Sequence, residues 1–261
     1  LSWPKFPRKI SREDARNAVI PAYMGLISQI DDQVGRLMKY LEDSGQLNAT
    51  LIVFTSDHGD YLGDHWLSDK ELFHDQSVRV PLIVIDPSGQ ANNTRGTVNN
   101  ALIQAIDLAP TFVEFFGGEV RKNILEGQSI LPILHQSSKF ERKILISEYD
   151  YSQALEQRDL GLNIGESILT MAFDGRWKLI FAEGFRPLLY NLETAPHEFH
   201  DLGDDPTYAA HVARLTTEIF AWAQRSHNRV TVTDAQIEQG IKDEIKTASY
   251  WEYGMKNNML K

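Results

Sequence analysis

A short apolar run, Thr50-Leu51-Ile52-Val53-Phe54-Thr55, ends abruptly in Ser56-Asp57-His58-Gly59. β-Branched and aromatic residues in so short a run predict a buried strand. In open α/β sheets, ligands bind beyond the carboxyl ends of the strands. The run therefore carries a carboxylate and an imidazole, side by side, to where a metal ion or substrate would sit. One hard oxygen donor and one imidazole suit Mn²⁺, Zn²⁺ or a similar divalent ion. Taken alone, Asp-His-Gly after a strand is more often a turn or a helix cap.

The segment that follows shifts that balance. From Asp60 to Asp75 the chain reads DYLGDHWLSDKELFHD, with five carboxylates and with His65, Lys70 and His74 among them. Neither a helical nor a strand period organises it. A long irregular stretch inside a compact domain is usually functional or disordered. Tyr61, Leu62, Trp66, Leu67, Leu72 and Phe73 argue against disorder.

Upstream, Ser11 and the acidic residues Glu13 and Asp14 predict a helix start. Ile20, Met24, Ile27, Ile30, Val34, Leu37, Met38 and Leu41 recur in steps of three and four, which gives one apolar face. Pro21 is placed to kink or restart that helix, and Gly45 to end it. A helix feeding a buried strand is half of a βαβ unit. A second buried strand is expected over 80–85, closed by the turn Asp86-Pro87-Ser88-Gly89. A short strand is expected near Val98. Asp107 is expected to cap a helix running to Phe116, stopped by Gly117-Gly118, and a short helix is expected over 129–134.

Beyond about residue 140 the character changes. Strands are expected over 143–149, 168–173, 176–181 and 188–191, with Asp174-Gly175 as a hairpin turn. Val212, Leu215, Ile219 and Trp222 share one face of a following helix. Strands joined by tight turns and then one helix predict an antiparallel sheet with a packed helix. Residues 1–140 are accordingly read as part of an α/β core, and 141–261 as an antiparallel-sheet subdomain with a helical tail. The aromatic residues Tyr250, Trp251 and Tyr253 in that tail suit docking, on the protein's own body or on another subunit.

The chain's 261 residues allow one large or two smaller domains. A formal net charge of −10 argues against nucleic acid as a partner. No cysteine is present, which removes disulfides, thiolate metal sites and a cysteine nucleophile from this stretch. That fits a reducing, cytoplasmic setting, with a periplasmic or secreted one as the alternative. Asn48-Ala49-Thr50 and Asn92-Asn93-Thr94 match the glycosylation sequon, which matters only in a secreted protein. Apolar runs are far too short to span a bilayer. The opening Leu-Ser-Trp-Pro-Lys reads as the middle of a loop, so a portion of a longer protein is expected.

Three blocks in order, GLISQIDDQVGRLMKYLEDSGQ, TLIVFTSDHGDYLGDHWLSDK and RVPLIVIDPSG, resemble the sulfatase family of the alkaline phosphatase superfamily. The resemblance is closer to its phosphonate monoester hydrolase branch. DGRWKLIFAEGFRPLLYNLETAPHEFHDLGDDP resembles that branch's C-terminal subdomain, and the match runs from about residue 20 to about residue 225. The resemblance implies an α/β sandwich around a mixed sheet, incomplete here, followed by a subdomain on a four-stranded antiparallel sheet. It also implies hydrolysis of a sulfate, phosphate or phosphonate monoester by a nucleophile held on a divalent metal. Asp57 and His58 match two metal ligands, and the metal is one of Mn, Zn, Fe or Ca. His58 replaces an Asn found in many relatives and favours the first three over Ca.

Lys70, thirteen positions after Asp57, matches a lysine that contacts the transferred group. A fixed ammonium facing the bridging oxygen of an anionic ester stabilises the charge that grows there as the bond breaks. His65 and His74 could donate a proton to the leaving group or simply pack. Packing is preferred for both, and His74 is kept as a candidate substrate contact. Arg79 suits a structural ion pair.

The departures matter as much. The formylglycine motif, Cys/Ser-x-Pro/Ala-x-Arg, does not occur, and the expected upstream aspartates and histidine do not occur either. The nucleophile is expected outside this segment, on a missing N-terminal stretch of the same protein. The fragment alone is expected to be inactive, with an exposed apolar face and open sheet edges. A small anionic ester is the expected substrate. Nucleic acid and membrane are not expected as partners, and the resemblance implies a homo-oligomer, since relatives form tetramers. Three readings compete with the branch assignment. They are a sulfatase acting on aryl or sugar sulfates, a phosphoryl transferase, and a non-catalytic module should the fragment be the natural product.

Overall fold

The computed structural model describes residues 11–67, 69–137, 140–152, 160–163, 166–225 and 236. Tyr250, Trp251 and Tyr253, and with them the predicted docking tail, lie outside the described residues. Contacts divide the chain into two units. One comprises 1–103 with 132–222, and the other 104–131 with 223–261.

The first unit begins with a helical turn, Arg12–Asp14, and a π-helical segment, Ala15–Val19, that runs into helix α1, Ile20–Asp43. Ser11 caps the turn, its Oγ accepting from the Asp14 N–H at 3.1 Å. Pro21 explains the break. It has no N–H to offer the preceding turn, so it is tolerated only where a helix restarts. At the other end Gly45 takes φ +71°. The Gly45 and Gln46 N–H groups return to Glu42 and Leu41 carbonyls at 3.0 and 2.8 Å, a glycine-terminated C-cap.

The predicted strands form as β1, Ile52–Thr55, and β2, Leu82–Ile85. Their pairing corrects the βαβ expectation. β1 and β2 run antiparallel, with Phe54 opposite Ile83, and no parallel pair occurs among the described residues. An apolar run fixes a strand's burial preference but not its neighbour. Burial departs from the buried-strand reading and agrees with the exposed apolar face expected of this stretch alone. Ile83 is 57 % exposed, and Phe54, Leu82 and Ile85 are exposed as well. The apolar face of α1 is likewise open at Met24, Leu26, Ile27, Ile30 and Leu37. No strand forms near Val98, which stands in an exposed irregular stretch.

The four-stranded antiparallel sheet expected after residue 140 is present. Its order is β3-β4-β5-β6, with β3 Leu145–Asp150, β4 Ile168–Phe173, β5 Trp177–Ala182 and β6 Leu188–Asn191. The β4–β5 hairpin turns on Gly175 at φ +96°. Asp174 Oδ1 accepts the Arg176 and Trp177 N–H groups at 2.9 and 2.7 Å. Strand side chains alternate faces, and here both faces are buried. Ala172, Leu179 and Leu189 pack with Leu215 and Ile219 of helix α5, Ala209–Ala223. Leu169, Met171, Ile180 and Tyr190 on the opposite face pack around Phe73. The second face thus rests on the loop that follows the Asp57-His58 corner. Three short or medium helices complete the numbering: α2 Asp75–Val78, α3 Leu108–Phe115 and α4 Leu131–His135.

In the first unit, Asp86 at the end of β2 is buried and holds His135 of α4, Oδ2 to Nε2 at 2.6 Å. In the second unit, Asp107 precedes α3 but its carboxylate caps none of that helix's N–H groups, contrary to expectation. It accepts instead from Gln104 and Gln128 N–H groups, both at 2.8 Å. Gly117 stops the helix as expected, with φ +75°. No described helix is long and apolar enough to cross a membrane.

Candidate active site

The corner after β1 is built from backbone constraints. Ser56 Oγ donates to the His58 carbonyl at 2.7 Å, and the His58 N–H donates to Asp57 Oδ1 at 3.0 Å. That N–H holds the Asp57 carboxyl below the usual carboxylate range. Gly59 then meets α2. Its N–H donates to the Ser77 carbonyl at 2.7 Å, and a Cβ on Gly59 would lie 2.0 Å from the Gln76 carbonyl oxygen. The glycine of Asp-His-Gly is there because any side chain would drive α2 away.

His58 Nδ1 lies 2.8 Å from the Gly59 carbonyl. A carbonyl only accepts, so Nδ1 is the donor of this bond. Nε2 faces Lys70 Nζ at 2.9 Å and lies 3.4 Å from Asp57 Oδ2. The Asp57 side chain is 82 % exposed and His58 38 %. Asp57, His58 and Lys70, chosen from sequence, are therefore brought together. An accessible carboxylate and an imidazole with its far nitrogen pinned fit two positions of a divalent ion's coordination sphere. Among the described residues, no group of three or more His, Asp or Glu could hold a metal alone. The pair fits half of a sphere.

Lys70 arrives on a contorted loop. Leu62, His65, Trp66, Asp69 and Leu72 all have positive φ, between 49° and 74°. Such conformations disfavour side chains with a Cβ and collect where structure over-determines geometry, often at functional sites. Two bonds fix the lysine's own backbone. Ser77 Oγ donates to the Lys70 carbonyl, and the Tyr61 N–H donates to the Asp69 carbonyl at 3.0 Å.

His74 is buried. Its Nδ1 lies 2.8 Å from the Tyr61 hydroxyl, and its ring stacks on His65 at 3.9 Å between centroids. His65 stacks in turn on Phe199 at 4.4 Å. Burial pushes His74 down to about 3, with His65 and Lys178 adding to the effect. Burial also lowers His65. These placements match the packing alternative for both. Arg79 forms the anticipated ion pair, with Asp75 at 3.4 Å on the surface.

Sequence reasoning missed a buried charge cluster beneath this loop. Lys178 of β5 is 1 % exposed and pairs with Asp75 at 2.6 Å and with Glu198 at 2.7 Å. It also donates to the Phe73 carbonyl at 2.9 Å. Glu198 Oε2 accepts the Asp75 N–H at 2.7 Å. Burial pushes the Glu198 carboxyl up while Lys178 pulls it down, with burial prevailing. The available signal was a lone lysine inside the apolar strand Trp177–Ala182.

The sulfatase family profile matches residues 4–118, and that of the N-sulphoglucosamine sulphohydrolase C-terminal region matches 63–225. This chain belongs to the sulfatase family of the alkaline phosphatase superfamily. The multifunctional alkaline phosphatase superfamily protein PehA of Trinickia caryophylli is 36 % identical over 81 % of this chain and 41 % of its own. An N-acetylglucosamine-6-O-sulfatase of Bacteroides thetaiotaomicron is 38 % identical over 45 % of this chain and 20 % of its own. In structure, the phosphonate monoester hydrolase of Agrobacterium radiobacter superposes with a TM-score of 0.73 at 31 % identity, over 82 % of this chain and 42 % of its own. The sulfatase chain thus has an alkaline-phosphatase-like α/β fold with two small antiparallel sheets. It spans less than half the length of these relatives.

Proposed function

We propose that this sulfatase-family chain supplies half of the active site of a metal-dependent hydrolase of sulfate, phosphate or phosphonate monoesters. The observation that carries the proposal is the convergence of Asp57, His58 and Lys70 at the end of β1. A divalent ion bound by Asp57 and His58 would supply Lewis-acid polarisation of the ester. The chain's own residues do the rest of what falls to this half. Asp57 offers an accessible carboxylate whose Oδ1 accepts the His58 N–H. The Gly59 carbonyl holds the His58 ring by Nδ1, with Nε2 turned toward Asp57 and Lys70. Lys70 presents a fixed ammonium to the bridging oxygen, where negative charge develops.

The formylglycine nucleophile and the remaining metal ligands are proposed to come from polypeptide outside residues 1–261. The open apolar faces of α1 and of the β1–β2 ladder support this, because apolar area of that extent normally meets a partner surface. The substrate class proposed is a small anionic ester, with phosphonate monoesters ahead of sulfates because of the likeness to the Agrobacterium enzyme. The similarity to a sugar sulfatase keeps sulfate esters as the second reading.

The deciding experiment uses the complete polypeptide. Elemental analysis should find a divalent metal, and mass spectrometry should find a formylglycine peptide. Asp57→Ala should lose metal and activity together. Retention of both would remove the site assignment, and faster turnover of aryl sulfate than of phosphonate monoester would reverse the substrate order.

A further inference from the structure

Lys178 and Glu198 are too buried to touch a substrate, yet through the half-buried Asp75 they are bonded stepwise to the groups that would. Lys178 anchors the Phe73 carbonyl and Asp75, and Glu198 anchors the Asp75 N–H. Asp75 opens α2. From α2, the Ser77 carbonyl receives the Gly59 N–H and the Ser77 hydroxyl reaches the Lys70 carbonyl. Glu198 itself is held at φ +54°, a conformation a glutamate adopts only under constraint. A fully paired ammonium between two carboxylates in a dry setting fixes geometry sharply, because any displacement leaves a buried charge uncompensated.

We infer that Lys178 and Glu198 are positioning residues: they set where α2 stands, and through it the relation between Lys70 and the Asp57-His58-Gly59 corner. This inference rests on the hydrolase reading above. Near-ångström displacements of reacting groups can cost on the order of a hundredfold in rate.

The test uses the complete polypeptide and an aryl phosphonate monoester. Lys178→Met and Glu198→Gln are each placed in the native protein and in a Lys70→Arg background, with folding checked by circular dichroism. In the native background, Lys178→Met should lower kcat by roughly tenfold or more and Glu198→Gln by roughly threefold, with KM little changed. In the Lys70→Arg background each should change kcat by less than about twofold, since effects routed through one group do not add. Unchanged kcat in the folded variants, or equal losses in both backgrounds, overturns the inference. If Lys178→Met does not fold, Glu198→Gln decides by the same criteria. Metal content and activity of Asp57→Ala report separately on the hydrolase reading. Loss there, with full activity in Lys178→Met, sinks the positioning role alone.

Discussion

Lys70 Nζ lies 2.9 Å from Nε2 of His58, whose Nδ1 is held by the Gly59 carbonyl. The ammonium therefore stands beside the donor atom that a metal would use, within reach of any ester bound there. Lys70→Ala should lower kcat by about 10²–10³-fold, the range seen when one preorganised charge-stabilising donor is removed. Metal content should persist, because the lysine is not a ligand. Steady-state kinetics with elemental analysis check both parts, and a Lys70→Ala enzyme at full kcat would remove the role.

Gly59 is the second point of leverage. An added Cβ would sit 2.0 Å from the Gln76 carbonyl oxygen, so α2 or the corner must move. Gly59→Ala should destabilise the fold by about 1–3 kcal/mol, the usual cost of overpacking. A lower melting temperature together with weaker metal retention is the expected pair of readouts. An unchanged melting temperature would mean that the close approach does not exist in solution.

His74 makes stability depend on pH. Burial holds it near 3 in the folded protein, against 6.5 in the absence of such burial. Between those values the unfolded chain binds a proton that the folded chain does not. The His74 contribution is therefore complete above about pH 6.5 and is lost as pH falls toward 3, at up to about 1.4 kcal/mol per pH unit. His74→Phe should flatten the fall in unfolding free energy between about pH 6 and pH 4. Denaturant titrations across that range measure the slope, and an identical slope in both proteins would rule out a buried neutral imidazole.

Asp107 offers a test within the second unit. Its buried carboxylate accepts the Gln104 and Gln128 N–H groups. Asp107→Ala strands both donors and should cost about 2–5 kcal/mol of stability. Urea unfolding reads this directly, and a loss under about 0.5 kcal/mol would show that neither donor depends on the carboxylate.

Much of this architecture was legible because it rests on local signals. Asp174-Gly175 marked the hairpin, Gly45 and Gly117 ended their helices, and strands joined by tight turns before one amphipathic helix pointed to an antiparallel sheet with a packed helix. Long-range relations were less visible. Nothing in the run 52–55 says that its neighbour is antiparallel, since pairing depends on residues thirty positions away. Asp107 reads as a helix cap because the Gln128 N–H that competes for it is distant in sequence. In the site, Asp57 and His58 could be chosen by residue type at the end of a strand, and Lys70 by its match to a lysine of the sulfatase family. The cluster beneath them could not, because Lys178 and Asp75 meet across 103 positions.

The left-handed run from Leu62 to Leu72 has an evolutionary corollary. Glycine at those five positions would relieve the left-handed backbone, set at His65 and Leu72 against the loss of their packing on His74, Phe199 and the sheet. Each such gain would slacken the tether of the loop's cation, and selection for rapid turnover would act to keep bulky residues where an unconstrained chain would shed them.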